Sequence, residues 1–249
     1  MGQIDPDSPV PKYFQLRELL LDLIEAGDLP LDAAIPSERD LSQRYGLSRM
    51  TVRQAIDHLV SEGRLHRVPG KGTFVARPKI EMPLRLSSFT EDMRQRGMKP
   101  GAIDLDRRVM RASAHLAREL GIQPGDDVHF VERLRTADGE PMAIERSHIP
   151  VALAPGLLDV DLTDRSLYEL LEQRHGIVMD SGELTIEAGI ADPVDAEQLN
   201  LKRGSAALLF QRRGFALGTC VEYAVSTFRA DRYQLRTALE IPRGSGQRP

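Results

Sequence analysis

The 249-residue chain has one cysteine and no tryptophan. A lone cysteine excludes a disulfide framework and any zinc or iron–sulfur site built from several thiolates. It fits a reducing compartment. No uncharged apolar run approaches the roughly 18–20 residues that span a bilayer. The opening residues, MGQIDPDSPVPKYF, have neither a cationic start nor an apolar core and do not read as a secretory signal. The six histidines (58, 66, 115, 129, 148 and 175) show no metal-binding spacing such as HExxH. Gly70-Lys71-Gly72 lacks the preceding glycine spacing and the following Ser/Thr of a P-loop. Cys220 has no CxxC partner, and no Ser-His-Asp arrangement can be argued. The expectation is a soluble, cytoplasmic protein with no metal, no cofactor and no membrane partner.

Hydrophobic residues make up 41% of the chain and charged residues 28%, the balance of a globular protein rather than a disordered one. The length accommodates one large domain or two ordinary ones. The net charge of −4 conceals an asymmetry. Residues 44–79 hold eight basic residues against two acidic ones, a net of +6; the other 213 carry 25 basic and 35 acidic, a net of −10. An acidic chain with one compact basic segment suggests a polyanion-binding module attached to something else.

The pattern around those charges specifies the module. KYFQLRELLLDLIEA (12–26) spaces its apolar residues as a helix does, and Gly27 stops it. Ser37, followed three residues later by Asp40, starts a short helix that Gly46 closes. Ser48 caps a second, with Val52, Ala55, Ile56, Leu59 and Val60 on one face and Gly63 at its end. Two short helices joined by a tight glycine turn form a helix-turn-helix. The second helix presents Arg49, Met50, Thr51, Arg53 and Gln54 on its first, outward turn, where a recognition helix meets base edges. Arginine suits guanine O6/N7, glutamine suits adenine, and hydroxyls suit phosphates. RLHRVPGKGTFVARP then reads as two strands around a Pro69–Gly72 turn, a wing with Lys71 at its tip.

Residues 77–83, RPKIEMP, read as a linker. Beyond it, helices are expected at 90–96, 112–120, 166–174 and 193–199. Strands are expected at 129–135, 142–149, 184–191, 207–215 and 220–229, with a hairpin turn at Asp138-Gly139. Short links between strands imply antiparallel pairing, and the class is α+β. Arg133 and Arg135, two apart on a strand, point to one face. Ser87-Ser88-Phe89-Thr90 opens a helix whose free N–H groups attract anions. Two guanidinium forks beside them suit a phosphate or carboxylate. Glu145 and Glu222 are acceptors for ligand hydroxyl or amino groups, and Glu222, Ala224, Ser226 and Phe228 share a face by alternation. In the alternative arrangement, Arg133 and Arg135 pair with Glu145 and Glu222 as a structural salt network. Asp231 and Arg232 read as an ion pair near a strand end.

PSERDL, SRMTVRQAIDHLVSEG and GKGTFV together resemble the winged helix-turn-helix of the GntR family of bacterial transcription regulators. By position, the resemblance implies DNA contacts from Arg39, Ser48, Arg49, Thr51, Arg53, Gly70 and Lys71, with Met50 at a position that varies in the family. The second half resembles the effector-binding (UTRA) domain of HutC-type members, a fold shared with chorismate lyase. LSSFTEDMRQRGMKP, VERLRTADGEPMAIERSHIP and VEYAVSTFRADRYQL carry that likeness. The implied organisation is a DNA-binding head at 10–76, a linker at 77–83 and an effector domain at 84–243.

The likeness is greatest to regulators of N-acetylglucosamine use, which respond to amino-sugar phosphates. It implies effector contacts from Ser88, Phe89, Thr90, Arg133, Arg135, Glu145, Ser166, Tyr168, Glu222 and Phe228. Phe228 stands where a tyrosine is common in those relatives. The expected function is a repressor acting as a homodimer on a palindromic double-stranded operator, under control of a small anion such as a sugar phosphate. The alternative is a small-molecule enzyme on the lyase-like domain, although fold alone does not fix function.

Overall fold

The computed structural model describes residues 3–82 and 85–237. It falls into two compact units divided between Ile80 and Glu81.

In the first unit, α1 (Lys12–Glu25) begins after Pro11, whose fixed φ suits a helix start. It buries Leu16, Leu19 and Leu20, which helical spacing places on one side. α2 (Glu38–Tyr45) is capped by Ser37 and closed by Gly46 in the left-handed conformation, φ 66°. α3 (Arg49–Ser61) is capped by Ser48, whose Oγ accepts from the Thr51 N–H at 3.1 Å. Its inner face buries Val52, Ala55, Ile56 and Leu59 against Leu16, Leu20 and Leu41 in a single core. Burying each Val, Leu or Ile side chain of this set stabilises the fold by roughly 1.5–3 kcal/mol. β1 (Leu65–Val68) and β2 (Gly72–Val75) pair antiparallel, and Leu65 and Val75 join the same core. The outward turn of α3 and the hairpin tip are thereby held on a rigid base.

β3 (Ile80–Met82) begins at the division, and the second unit then runs α4 (Phe89–Gln95), β4 (Pro100–Arg111), α5 (Ala114–Leu120), β5 (Asp127–Ala137), β6 (Glu140–Pro150), α6 (Leu167–His175), β7 (Ser181–Ile190), α7 (Pro193–Gln198), β8 (Ala206–Ala216), β9 (Thr219–Arg229) and β10 (Tyr233–Leu235). β4-β5-β6-β9-β8-β7 form one six-stranded sheet, antiparallel throughout. β3 and β10 make a separate pair. The class is α+β. Asp138 and Gly139 both have positive φ, 51° and 81°, as the tight turn between β5 and β6 requires.

The sheet has two distinct faces. On one, Val131 and Ile149 pack against Leu167, Leu170 and Leu171 of α6. On the other, Val128 and Tyr223 meet Leu116 and Leu120 of α5, while Ile144 meets Leu199 just after α7. Strand alternation places Arg133, Arg135 and Glu145 with Val131 and Ile149, on the α6 face.

Three features depart from the sequence expectations. β4 was not anticipated. Within the expected linker, Arg77 pairs with Asp32, and Glu81 lies on β3. The Glu81 backbone carbonyl accepts from Arg96, and its carboxylate pairs with Arg236 at 3.0 Å. The stretch free of regular structure is therefore shorter than 77–83. Asp231 binds Arg229 at 2.7 Å rather than Arg232, which binds Glu140. Pro83, residue 84 and residues 238–243 of the expected effector domain lie outside the described residues.

Candidate functional site

Two regions carry the expected residues. On the head, Arg39 is exposed in the first turn of α2, and Arg49, Met50, Arg53 and Gln54 are exposed on α3. Met50 reaches 70% exposure, too much for a packing residue. Thr51 is half-buried, and its hydroxyl lies 2.9 Å from Ser48 Oγ. Arg53 binds Glu38 of α2 at 2.9 Å, and Arg67 on the wing binds Asp57 of α3 at 2.6 Å. These carboxylates hold flexible cations in place across α2, α3 and β1. At the hairpin tip, the Lys71 N–H donates to the Val68 carbonyl at 2.9 Å. Gly70 takes a positive φ of 73°. A substituent there would be strained, so glycine lets the turn present Lys71 outward. His66 stacks on Phe74 and His58 on Tyr13, centroids 5.7 and 5.3 Å apart.

The second region is a pocket on the α6 face of the sheet. Ser88, Phe89, Thr90, Arg133, Arg135, Glu145, Ser166, Tyr168 and Glu222 all line it, together with Arg212. Phe228 lies in the adjoining cleft with Ser88, Phe89, Glu145 and Arg212. The pairing inside is specific. Arg133 Nη2 donates to Glu145 Oε2 at 2.7 Å, and its Nη1 donates to the Arg165 carbonyl at 3.1 Å. Arg135 Nη2 donates to Thr90 Oγ1 at 2.8 Å, and its guanidinium stacks 4.7 Å from the Phe89 ring centre. Glu222 accepts from Ser147 at 2.7 Å, Tyr168 at 2.8 Å and Arg212 at 3.1 Å. Ser88 and Ser166 are N-caps, accepting from the Glu91 and Glu169 N–H groups.

This geometry changes the sequence picture in two ways. The forks of Arg133 and Arg135 do not stand open; Glu145 lies between them, 3.6 Å from Arg135 Nη1. Glu222 pairs with Arg212, which the sequence reading had not singled out. Arg212 lies on β8, 3.9 Å from Glu145, with its guanidinium over Tyr168. The adjacent pair Arg212-Arg213 concealed it. Alternation sends one arginine to each face, and Arg213 goes outward to Glu183 at 3.3 Å. Phe210 and Arg212, two apart on a strand, were the available signal.

The electrostatics are unbalanced. Three guanidinium groups meet two carboxylates, an excess of one positive charge in a buried place. Burial opposes ionisation of Glu145, but Arg133, Arg135 and Arg212 overcome it and hold its pKa at about 2. Burial and then the neighbouring Arg133 push Arg135 down to about 10, so it stays charged at neutral pH but is poorly compensated. Burial, then Glu222, raise the Tyr168 phenol well above its ordinary range, and it acts as a donor. The Nε atoms of Arg133, Arg135 and Arg212 are buried without a hydrogen-bond partner. Buried donors of this kind are rare and call for an acceptor. The pocket's free volume is about 10 Å³, and that of the adjoining cleft about 70 Å³. The inner pocket holds about one water, so a larger ligand must displace side chains.

Among the described residues, no helix is long and apolar enough to cross a membrane. Among the same residues, no cluster of three or more His, Cys, Asp or Glu side chains suits a metal ion.

Comparison with known proteins gives consistent matches to both units. Residues 12–75 match the family "Bacterial regulatory proteins, gntR family", and residues 95–234 match the UTRA domain. The transcriptional repressor NagR of Bacillus subtilis is 41% identical over 232 residues, covering 92% of this chain and 95% of that protein. The histidine utilization repressor of Pseudomonas putida is 30% identical, covering 83% of each chain. The crystal structure of PhnF from Mycobacterium smegmatis superposes with a TM-score of 0.66 at 29% identity, covering 90% of this chain and 98% of that one. These are regulators rather than enzymes. The chain belongs to the GntR family, as a DNA-binding transcription regulator with a UTRA domain behind its winged helix-turn-helix.

Proposed function

We propose that this regulator is a repressor whose operator affinity is set by a small anion, with an amino-sugar phosphate as the leading effector. It works as a cytoplasmic homodimer on a palindromic site. One recognition helix per protomer reads each half-site, with half-sites spaced by whole helical turns. Arg49, Arg53 and Thr51 contact bases or adjacent phosphates, with Ser48, Arg39, Gly70 and Lys71 on the backbone. The observation that carries the effector reading is the uncompensated guanidinium among Arg133, Arg135 and Arg212, together with its three partnerless Nε donors. An anion supplies both the missing charge and the missing acceptors.

Resemblance to regulators of N-acetylglucosamine use favours a phosphorylated amino sugar within that class. The names of other relatives point to different systems, such as histidine utilization and mannosyl-D-glycerate transport or metabolism. The scaffold therefore leaves the choice to the pocket's own residues. Admitting such a ligand requires the 85–88 segment or Arg212 to shift. Movement of α4 acts on Glu81 of β3 through Arg96. A coupling of about 1–3 kcal/mol suffices to change operator occupancy.

A gel-shift titration with the chain's own promoter region tests this, with and without N-acetylglucosamine 6-phosphate, beside a thermal-shift screen of phosphorylated sugars. Preferential binding to one fragment that changes with a phosphorylated sugar is the expected result. No preference over random duplex, whatever metabolite is present, would sink it.

A further inference from the structure

The cleft beside the cationic cluster ends in an aromatic wall. Phe210 and Phe228 pack with ring centres 4.7 Å apart, and Tyr233 meets Phe228 edge-on at 5.1 Å and 87°. All three line the cleft. Tyr233 is 2% exposed, and its hydroxyl is buried with no hydrogen-bond partner. A buried phenol ordinarily finds one. Packing alone does not require the oxygen, since phenylalanine fills the same space.

The charged groups that face Tyr233 are already engaged elsewhere. Asp92 and Arg96 bind each other at 3.1 Å, Arg232 binds Glu140, and Arg135 binds Thr90. Burial, with Asp92 next, raises the phenol's pKa, which keeps the proton on the oxygen. The cleft thus joins the Arg212 guanidinium to a group of apolar rings, and among its lining residues the buried Tyr233 hydroxyl has no partner.

We propose that Tyr233 is a specificity-determining residue of this site, its hydroxyl hydrogen-bonding a ring hydroxyl of the effector while Phe228 packs on the ring's carbon face. The inference rests on the reading of the cleft as a phosphorylated-sugar site and names the group that reads the sugar rather than the phosphate. It also makes Phe228 the apolar half of a pair whose polar half comes from β10.

Tyr233→Phe tests this, measured by calorimetry on the full-length protein with two probes. N-acetylglucosamine 6-phosphate carries phosphate and ring; glycerol 3-phosphate carries the phosphate without the ring. The expected loss is about tenfold for the sugar phosphate, with at most a twofold change for glycerol 3-phosphate. Without ligand, the variant's melting temperature should equal or exceed that of the wild type, because an unsatisfied buried group has been removed. Sugar-phosphate binding indistinguishable from wild type, or equal weakening of both probes, overturns the Tyr233 assignment alone. A ligand-free melting temperature several degrees lower does the same, by showing that the hydroxyl already has a partner. Failure of the wild type to bind either probe overturns the phosphorylated-sugar reading and this proposal with it.

Discussion

Arg135 and Thr90 meet at 2.8 Å, guanidinium to hydroxyl, and this bond fastens the first turn of α4 to the C-terminal end of β5. Both residues are 2% exposed. Thr90→Val keeps the side-chain shape and removes the acceptor. It leaves a buried guanidinium N–H unsatisfied, at a cost of about 1–3 kcal/mol. Urea unfolding should show that loss in the midpoint with little change in slope. An unchanged midpoint would mean that Arg135 finds another acceptor.

Glu145 makes the second unit's stability depend on pH in one direction. Its folded pKa is held at about 2 against an ordinary value of 4.5. A depressed carboxylate stabilises the fold above its unfolded pKa. That contribution, on the order of 3 kcal/mol, disappears as pH falls from about 4.5 towards 2. Glu145→Gln should flatten stability across that window. At neutral pH it should destabilise the chain, because Arg133 loses its charged partner in a buried place. Unfolding curves of the two proteins from pH 2 to 7 check both statements; parallel curves would refute them.

Much of this organisation was legible because local signals agreed with one another. Ser37, Gly46 and Ser48 bound the two helices of the head, and each behaves in the structure as its type demands. The turn at Asp138-Gly139 was legible, and so was the shared face of Arg133 and Arg135, but it is the register shift between Arg135 and Thr136 that brings Glu145 opposite Arg133. β4 escaped for a physical reason. It is an edge strand with a register shift between Asp104 and Asp106. The shift breaks the two-residue alternation that announces a strand. Its exposed Ile103 and Val109 fall on opposite faces on either side of that shift. β3 is three residues long, and its partner β10 lies about 150 residues away, beyond the reach of any window. The presence of Glu145 between the two arginines, and the role of Arg212, depend on which strands lie side by side.

The proposed DNA contacts assign affinity and selectivity to different residues of the head, and DNA titrations test that assignment. Arg49 is exposed on the first turn of α3. Arg49→Ala should weaken binding to the operator roughly tenfold to a hundredfold, relax preference at one base pair, and leave random-duplex affinity nearly unchanged. Lys71 at the wing tip should behave differently. Lys71→Ala should weaken binding to all duplexes alike and lower the magnitude of the salt slope by about 1. Fluorescence anisotropy over a salt series, on operator and scrambled sequences, measures both. Equal loss on both sequences for Arg49→Ala would move base reading away from that residue.

Arg212 decides whether the buried cluster carries an excess positive charge at all. Without it, Arg133 and Arg135 face Glu145 and Glu222, two charges against two, and the attraction for an anion falls. Burial works against the Arg212 charge, but Tyr168, Glu222 and Glu145 more than offset it and raise its pKa, so the charge is fixed at every accessible pH. Arg212→Gln removes the charge and also the Nη2 donor to Glu222, because the glutamine amide nitrogen ends where Arg212 Nε lies without an acceptor. The expected result is loss of effector-induced change in operator binding and at least tenfold weaker binding of phosphorylated ligands, while operator affinity without ligand stays within about twofold. Both Arg212→Gln and Arg212→Ala leave Glu222 with Ser147 and Tyr168 only, and the longer Gln stem keeps more of the packing beside Tyr168, so its destabilisation should be the smaller. Calorimetry and gel shift on Arg212→Gln, beside urea unfolding of both variants, check these outcomes. Full effector response in Arg212→Gln would show that Arg133 and Arg135 alone hold the anion, and that Glu145 moves aside to let them.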